Sequence, residues 1–446
     1  MNQIEVVESL MGNGKTYATL RYIEQQALED KSNHWIYCTE YLSEIDVRIN
    51  DEKSLCRELW RTPADTDKTE KLIELLLEPK VQLIAITHAL LLVASRNPLV
   101  NSLIKAKGYN LFLDETIELI TPYTKCKYGD FLIWHSENWF SMADPLGKVV
   151  WTYDDKTSNG LSTSFDQLAM DSKKGTVHAH INGSSVALVH IEDEVIFNQF
   201  SRVILATYQL EYSLFDAYLS IKNIKKVQSG IECNKNNTKE NIKSLITQFT
   251  KHYSKYRGKS LSSTWWNTTG KGSATELDFK LVSNTIRNTG DNLGCKGNPH
   301  LLGFTVPAER IGKTTRPRTV YARGYPSEVC YLEESKDPSD VDEQGKVKLV
   351  KTTSKDKANS AYIPCNARAS EDYKQKTVMI HAYNRYPLVS ITQYLTAKNI
   401  PYSSEVFALN ELLQWLWRSS IRDNQPITVS ILSERMREMF DNWLEK

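Results

Sequence analysis

Eight residues close to the start of the chain, Ser9–Thr16 with the sequence SLMGNGKT, constrain the fold more than any other feature. They follow a short apolar run, Ile4–Val7, and they precede a stretch, Lys15–Ala27, whose apolar residues recur at helical spacing. This order predicts a strand, a glycine-bearing turn and a helix. Glycines allow backbone N–H groups to turn toward an anion, and the helix N-terminus also favours negative charge. The sequence therefore predicts a phosphate-binding loop.

The residue types in this loop indicate nucleotide triphosphate and Mg²⁺ as cofactors. Lys15 is expected to reach the β and γ phosphates of ATP, and the Thr16 hydroxyl is expected to bind magnesium. Ser9 stands where such loops usually have their first glycine. The residues expected to surround the nucleotide are Gly12, Asn13, Gly14, Lys15, Thr16 and Tyr17.

Strand-like runs then alternate with helical stretches through the first half of the chain. Four apolar runs have strand character, and they are HWIYC at 34–38, QLIAI at 82–86, YNLFLD at 109–114 and SRVILAT at 201–207. Alternation of this kind predicts an α/β fold with a parallel sheet that helices cover on both faces. Residues 117–200 break the alternation, and we interpret them as an inserted accessory segment.

The second half of the chain is expected to form a second domain. A polar, asparagine-rich stretch after about residue 228 is typical of a linker, so we predict domains at 1–228 and 229–446. Residues 333–360 have almost no large apolar side chain and are predicted to be a mobile loop. The remaining expected elements are a helix at 242–256, a strand at 259–265, a strand in TVMIHAY, a helix at 409–421, a strand in PITVSIL and a final amphipathic helix.

Two acidic residues, Asp114 and Glu115, end the run LFLDET. In nucleotide hydrolases the first of two such carboxylates holds magnesium through water, and the second orients and deprotonates the attacking water. A buried strand that merely ends in two acids is the alternative. The position downstream of the phosphate loop favours the functional interpretation.

Near the C-terminus, Gln414, Arg418 and Arg422 are spaced by four residues in LLQWLWRSSIRD. On a helix this spacing places all three on one face. Guanidinium groups stabilise the charge that develops on a γ phosphate, which is the role of an arginine finger. A surface helix with salt bridges is the alternative interpretation.

A basic segment lies at 251–325, where thirteen Lys and Arg stand against four Asp and Glu. The net charge of the chain is +1, so this segment at +9 leaves −8 for the rest. Aromatic side chains beside cations bind single-stranded nucleic acid by stacking and phosphate contact. Trp265, Trp266, Arg316 and Arg318 are the candidates here. The alternative is that the tryptophans belong to the core and the arginines to an ordinary surface.

Composition excludes several classes of protein. No apolar run approaches the roughly 20 residues of a membrane helix, and the first residues, MNQIEVVES, lack the pattern of a secretion signal. Seven scattered cysteines without a CxxC pair indicate reduced thiols. We therefore expect a cytoplasmic protein that does not bind membranes.

The order of these motifs resembles motifs I, II, III and VI of superfamily 2 helicases, and the C-terminal stretches look most like the DEAD/DEAH-type helicases encoded by tailed bacteriophages. The motifs are SLMGNGKT, LFLDET, ILAT and the late Gln and Arg segment. The resemblance implies two RecA-like lobes and places both cofactors, ATP and Mg²⁺, at the loop. The sequence departs from the family at Trp417, where a glycine is usual, and at Ile117, the fourth position of the acidic box.

The resemblance also implies roles for residues whose own pattern is uninformative. Ala206 and Thr207 would couple hydrolysis to movement, and Gln414 would share this coupling role. Arg418 and Arg422 would sense the γ phosphate. The residues implied to contact nucleic acid are Thr39, Thr87, His88 and Arg368, the last within the loop 366–370.

Together these features predict an ATP-dependent helicase or translocase that unwinds DNA in phage replication or recombination. DNA is expected rather than RNA, single-stranded or forked, with replisome or recombination proteins as possible partners. An ATP-switched loader or origin factor that does not unwind DNA is the alternative. A P-loop kinase or other small-molecule phosphotransferase is a third interpretation, which the length and the basic aromatic segment disfavour.

Overall fold

The computed structural model describes residues 3–49, 57–63, 66–142, 144–153, 163–233, 237–311, 360–366 and 372–445, residues 320, 323 and 325, and the backbone of 332–334 and 349–351. These residues form two compact units. Unit 1 consists of Met1–Lys235 and Pro387–Phe407, and unit 2 consists of Asn236–Tyr386 and Ala408–Lys446.

The strands of unit 1 are β1 (Gln3–Glu8), β2 (Trp35–Thr39), β3 (Trp60–Arg61), β4 (Leu83–Thr87), β5 (Asn110–Asp114), β6 (Ile120–Pro122), β7 (Phe140–Met142), β8 (Val149–Trp151), β9 (Val177–Asn182), β10 (Ser185–Ile191), β11 (Val203–Thr207) and β12 (Lys225–Gln228). Those of unit 2 are β13 (Ile246–Gln248), β14 (Leu302–Thr305), β15 (Leu332–Glu334), β16 (Leu349–Lys351), β17 (Val378–His381) and β18 (Ile427–Ile431).

The helices are α1 (Lys15–Glu29), α2 (Leu42–Ile49), α3 (Lys68–Leu77), α4 (His88–Ala94), α5 (Pro98–Lys107), α6 (Tyr128–Ser136), α7 (Thr163–Lys173), α8 (Val195–Asn198), α9 (Leu214–Ile221), α10 (Lys239–Leu245), α11 (Ser263–Asn267), α12 (Glu276–Asn292), α13 (Val389–Ala397), α14 (Ser404–Leu416) and α15 (Glu434–Glu445). No helix of the described residues is both long and apolar enough to cross a membrane.

A seven-stranded sheet organises unit 1, with the strand order β12-β1-β11-β5-β2-β4-β3 and parallel pairing throughout. Successive residues of a strand point to opposite faces. In β5, Leu111 and Leu113 enter one buried cluster, whereas Phe112 enters the other. Both faces of the sheet are therefore covered, which confirms the predicted α/β class and explains why the central strands are continuously apolar.

The inserted segment has a different architecture. Its sheet, β6-β10-β9, is antiparallel, and β7 and β8 form a further antiparallel pair. A separate aromatic cluster fills it, in which Phe131, Trp134 and Phe165 are buried. Antiparallel neighbours need no helical crossover. This is why the alternation of strands and helices stops in this part of the sequence.

Unit 2 contains a second parallel sheet, in the order β13-β18-β17-β14. Two predicted elements are wrong in this unit. The helix expected at 242–256 ends at Leu245, because Ile246 pairs with Ile427 as part of the sheet. The strand expected at 259–265 is absent, because the Ser262 hydroxyl accepts a hydrogen bond from the Trp265 N–H (3.3 Å) and starts a helix there.

Candidate functional site

The glycine loop follows β1 and ends where α1 begins, as the sequence predicts. Gly12 has φ 81° and Gly14 has φ 71°, and Gly14 is the N-cap residue of α1. These left-handed conformations favour glycine because a Cβ atom would strain the backbone. The loop thus depends on both glycines to turn at the N-terminus of a helix 15 residues long.

Lys15 lies inside this loop rather than in solvent, since its exposed fraction is 7 %. Its Nζ donates to the carbonyl oxygens of Ser9 (2.8 Å) and Leu10 (3.3 Å). The Asn13 side-chain amide donates to the Ser9 hydroxyl (2.9 Å), which ties the two ends of the loop together. The lysine ammonium is therefore held by two backbone carbonyl oxygens of the loop, which phosphate oxygens can replace as acceptors.

Thr16 and Asp114 lie 98 residues apart in the sequence but are in direct contact. The Thr16 hydroxyl donates to Asp114 Oδ1 (2.7 Å). The Tyr37 hydroxyl, on the neighbouring strand β2, donates to Asp114 Oδ2 (3.1 Å). A hydroxyl and a carboxylate that meet beside a phosphate loop supply the oxygen ligands that Mg²⁺ prefers.

The charges around Asp114 act in opposite directions. Burial raises the pKa of this carboxyl above its ordinary value. The hydrogen bonds from Thr16 and Tyr37 and the cations Arg48 and Lys15 counteract the effect of burial, because each favours the ionised form. The surroundings of Asp114 thus supply several groups that stabilise a buried negative charge.

Glu115 has an unusual backbone conformation, with φ 72°. A non-glycine residue held in this region costs roughly 1–3 kcal/mol, and such strain is concentrated at functional sites. The Glu115 N–H donates to the Ala206 carbonyl (2.9 Å), and the Ser9 N–H donates to the Thr207 carbonyl (3.3 Å). Backbone hydrogen bonds therefore join the end of β11 both to the start of the glycine loop and to the second acidic residue.

Two residues near Asp114, Tyr37 and Arg48, have no signal in the sequence that predicts a role at the site. Tyr37 is fully buried in the middle of β2, where its sequence resembles any core strand. Arg48 lies in α2 and is close enough to influence the pKa of both Tyr37 and Asp114. Neither residue belongs to a motif, so only the order of the strands in the sheet brings them to the acidic residue.

Three residues implied to contact nucleic acid lie at the ends of β2 and β4, at the same edge of the sheet as the loop. Thr39 is 1 % exposed and its hydroxyl donates to Glu44 (2.5 Å). Thr87 caps α4, where its hydroxyl accepts from the Leu90 N–H (3.3 Å). His88 is buried as the first residue of α4. In this structure all three side chains serve the local fold.

The predicted helix through Gln414, Arg418 and Arg422 is wrong. Helix α14 ends at Leu416, and a short 3₁₀ turn, Ser420–Asp423, follows it. The Ser420 N–H donates to the Lys376 carbonyl (3.0 Å), which draws the chain away from the helix axis. The three side chains do not share one helix face, and Arg418 is buried whereas Arg422 is partly exposed.

Trp265 and Trp266 belong to the core of unit 2. Their exposed fractions are 6 % and 1 %, and the Trp266 ring packs against Phe279 with centroids 5.5 Å apart. Burial of this extent argues against the prediction that they stack on bases and favours the core alternative. Arg316, Arg318 and Arg368 lie outside the described residues, as does the loop predicted at 333–360 apart from Ser360 and the backbone of 333–334 and of β16.

Arg385 in unit 2 is a further arginine that the sequence analysis did not single out. It follows β17, and its guanidinium pairs with Glu411 (2.8 Å). Burial acts to lower the pKa of Arg385, but the neighbouring Cys365 and Glu411 raise it above its ordinary value.

The fold and the site define a class of α/β protein. It has a parallel sheet, a glycine loop between its first strand and helix, and an acidic strand end hydrogen-bonded to the residue that follows that loop. The family described as the YonV C-terminal Rossmann-like domain matches residues 240–444. The SPbeta prophage-derived uncharacterized protein YonV of Bacillus subtilis (strain 168) is 25 % identical over 461 residues, covering 100 % of this chain and 99 % of that protein.

Two solved helicase structures are weakly similar. The DUF1998 helicase MrfA bound to DNA shares 10 % identity with a TM-score of 0.36, and the chain spans only 46 % of its length. T4 UvsW shares 8 % identity with a TM-score of 0.21, and 71 % of it is covered. All of this chain is aligned in both cases. Likenesses at these scores are too weak to assign a function.

Proposed function

We propose that this chain is a nucleic-acid-dependent ATPase of the superfamily 2 type that translocates on DNA and unwinds it. One observation carries the proposal, namely the 2.7 Å hydrogen bond between the Thr16 hydroxyl and Asp114. It unites a phosphate-loop residue and an acidic strand end that the sequence separates. The prophage origin of the relative YonV supports a role in phage DNA metabolism.

The residues of the loop fit ATP with Mg²⁺. Lys15 is enclosed by carbonyl oxygens that phosphate oxygens can replace, and both glycines adopt the left-handed backbone that the loop needs. Thr16 and Asp114 would hold the metal, which supplies positive charge to the phosphates when bound. Tyr37 would orient the Asp114 carboxylate through its hydroxyl.

Glu115 is proposed as the residue that orients the attacking water and accepts its proton. Its side chain is only partly buried, unlike that of Asp114, so water can reach it. Because β11 is bonded to both Glu115 and the loop, Ala206 and Thr207 are suited to transmit a change at the site to the rest of unit 1. This is the coupling role that the resemblance implies.

Two RecA-like lobes, divided near residue 228, remain part of the proposal. Of the two late arginines, Arg422 is the stronger candidate for sensing the γ phosphate, since Arg418 is buried. The basic segment at 251–325 would supply phosphate contacts to DNA. Its buried tryptophans would support the fold rather than stack on bases.

An ATP-switched DNA loader that does not unwind is the second candidate. The observation that favours it is the end of α14 at Leu416, which removes the continuous arginine helix expected of a motor. Trp417, in place of the usual glycine, is buried and packs against Trp443 with centroids 6.4 Å apart.

A strand-separation assay distinguishes these candidates. A forked DNA duplex with a fluorophore and a quencher on opposite strands is incubated with the protein, ATP and Mg²⁺. The proposal predicts strand release that requires ATP and is lost in Lys15→Ala. ATP hydrolysis and DNA binding without strand release would support the loader instead.

A further inference from the structure

A groove in unit 1 lies between the β9–β10 hairpin and helix α13. The two strands pair antiparallel, with His180 opposite Ala187 and Asn182 opposite Ser185. Residues that alternate along a strand share a face, so His178, His180 and Asn182 point to the same side. On that side a cavity of about 490 Å³ opens, which we call the hairpin groove; its lining residues are His180, Asn182, Ser185, Ala187, Thr392, Gln393, Thr396 and Ala397.

Helix α13 is fixed firmly over one end of the groove. Tyr394 is fully buried, its ring lies 6.4 Å from that of His178, and its hydroxyl donates to the Leu146 carbonyl (2.7 Å). Thr392, Gln393 and Thr396 come from the two turns around this anchor. The lining residues of the groove therefore lie on two strands and a helix of unit 1 and not on a loop.

The lining of the groove combines apolar surface, including Ala187 and Ala397, with polar side chains, and it contains no lysine or arginine. Imidazole, amide and hydroxyl groups line it, and none of its eight lining residues is acidic. Such groups donate and accept hydrogen bonds in the way that nucleobase edges and sugar hydroxyls require. A carboxylate in the lining would repel a polyanion.

Two lysines stand at the end of the groove nearest His178. Lys148 forms a bridge directly opposite His178, and its Nζ lies 2.6 Å from the position that a Cβ atom on Gly175 would occupy. The Nζ of Lys398, the residue after α13, lies 2.9 Å from the equivalent position on Gly147. Both glycines thus leave room for an ammonium group. Gly147 is further required because a Cβ atom there would lie 2.1 Å from the Ala179 carbonyl oxygen.

The other charges nearby are a third lysine and four carboxylates. Lys222 faces Asp193, Glu194 and Glu192, which offset its charge. Asp144 accepts a hydrogen bond from the backbone N–H of Lys148 (2.8 Å) and not from its ammonium. Burial, together with the charges of Lys222 and Lys148, lowers the pKa of His178 to about 4, so this imidazole is neutral at pH 7.

A run of cations followed by neutral hydrogen-bonding groups matches a short stretch of single-stranded nucleic acid. From His178 to Asn182 the strand extends about 13 Å, at roughly 3.3 Å per residue. A ligand with both phosphates and bases would use the two kinds of group together.

We infer that the hairpin groove binds single-stranded nucleic acid, with Lys148 and Lys398 on backbone phosphates and Asn182, Gln393 and Thr396 on bases or sugars. The choice of ligand rests on the proposed function. This inference gives the inserted segment a role in binding the nucleic-acid strand.

Binding of a fluorescein-labelled oligothymidylate, followed by anisotropy across a salt series, tests this inference. The double variant Lys148→Ala/Lys398→Ala is compared with Lys31→Ala/Lys80→Ala, which removes the same charge from exposed positions distant in the sequence. Gln393→Ala/Thr396→Ala probes the neutral lining with all charges kept. Melting temperatures confirm that each variant is folded.

The groove variant is expected to bind about tenfold more weakly near 0.1 M salt, and its slope of log K against log salt is expected to fall by about 1.4, or roughly 0.7 for each lost phosphate contact. The neutral variant is expected to weaken binding without a change in slope. Equal affinity and slope for the groove variant and the wild type overturn the inference alone. A wild-type protein that binds no oligonucleotide overturns the proposed function as well.

Discussion

Replacing Tyr37 by phenylalanine tests whether its hydroxyl supports the acidic residue of the nucleotide site. The side chain is fully buried, and its hydroxyl donates to Asp114 Oδ2 at 3.1 Å. Hydrogen bonds to charged groups contribute about 1.5–3 kcal/mol, and a distance slightly beyond the usual range for an O–H···O bond favours the lower value. We therefore expect the free energy of unfolding at pH 7 to fall by about 1.5 kcal/mol.

The pH dependence of this loss has a definite sign. The Tyr37 hydroxyl stabilises the ionised form of Asp114, so the pKa of Asp114, which burial already raises, rises further in Tyr37→Phe. The stability difference between wild type and variant is fully present where Asp114 is ionised, and it disappears as the pH falls and the carboxyl becomes protonated in both proteins. If ionised Asp114 holds magnesium, the acidic limb of ATP hydrolysis moves to higher pH by roughly one unit, since about 1.4 kcal/mol corresponds to one unit.

Tyr109→Phe is the matched control. Tyr109 is also fully buried, but its hydroxyl donates to the Val81 carbonyl (2.9 Å) and not to a carboxylate. Its loss should cost about 1 kcal/mol and leave the pH profile of hydrolysis unchanged. Urea denaturation and hydrolysis rates measured between pH 5 and pH 8 give both readouts. A Tyr37→Phe protein with the stability and pH profile of the wild type would show that this hydroxyl does not stabilise the Asp114 carboxylate.

Three further changes test other parts of the molecule. Glu115→Gln should bind a fluorescent ATP analogue as the wild type does but hydrolyse ATP about 10²–10⁴-fold more slowly, and normal turnover would show that Glu115 is not the base. Tyr17→Ala should raise the KM for ATP with little change in kcat, because this ring is 43 % exposed beside the loop and suited to contact the nucleotide. Tyr128→Ala is the control, since it removes a similarly exposed ring from the insertion and should leave KM unchanged. Burial lowers the pKa of Lys376 to about 7, so wild-type stability should rise between pH 7 and pH 9 by up to about 1.4 kcal/mol per unit relative to Lys376→Met, and parallel curves in urea denaturation would contradict this.

The glycine turn between β1 and α1 and the acidic end of β5 could be predicted because their residues are local in the sequence. Gly12 and Gly14 indicate a turn with left-handed backbone conformations, which the structure shows at both positions. The apolar runs indicate strands that are buried on both faces of a sheet. The positions of β1, β2, β4, β5 and β11 were therefore predicted to within a few residues.

Contacts between distant elements could not be predicted in the same way. Tyr37 reaches Asp114 only because β2 pairs with β5. The sequence of neither strand predicts which strand lies next to it in the sheet. Ile246–Gln248 is too short to show a strand period, so it was mistaken for part of a helix. The helix that contains Gln414 ends early because the N–H of Ser420, further along the chain, donates a hydrogen bond to the carbonyl of Lys376, which is distant in the sequence.

The aromatic residues of the basic segment show a further limit. Trp265 and Trp266 stand among lysines in the sequence, but three-dimensional packing places their rings in the core of unit 2. An aromatic residue beside a cation is compatible with both stacking on bases and burial. Only the exposed fraction of the ring separates the two interpretations.

The proposed function requires that ATP hydrolysis at the loop be coupled to nucleic acid. The most direct measurement is the rate of ATP hydrolysis by the wild type and by Lys15→Ala, each with and without single-stranded DNA, duplex DNA and RNA. We predict that DNA stimulates the wild type strongly and that Lys15→Ala remains inactive with every polymer, because Lys15 forms the centre of the loop. Wild-type hydrolysis that no polymer changes would contradict the proposed function and would indicate a small-molecule acceptor.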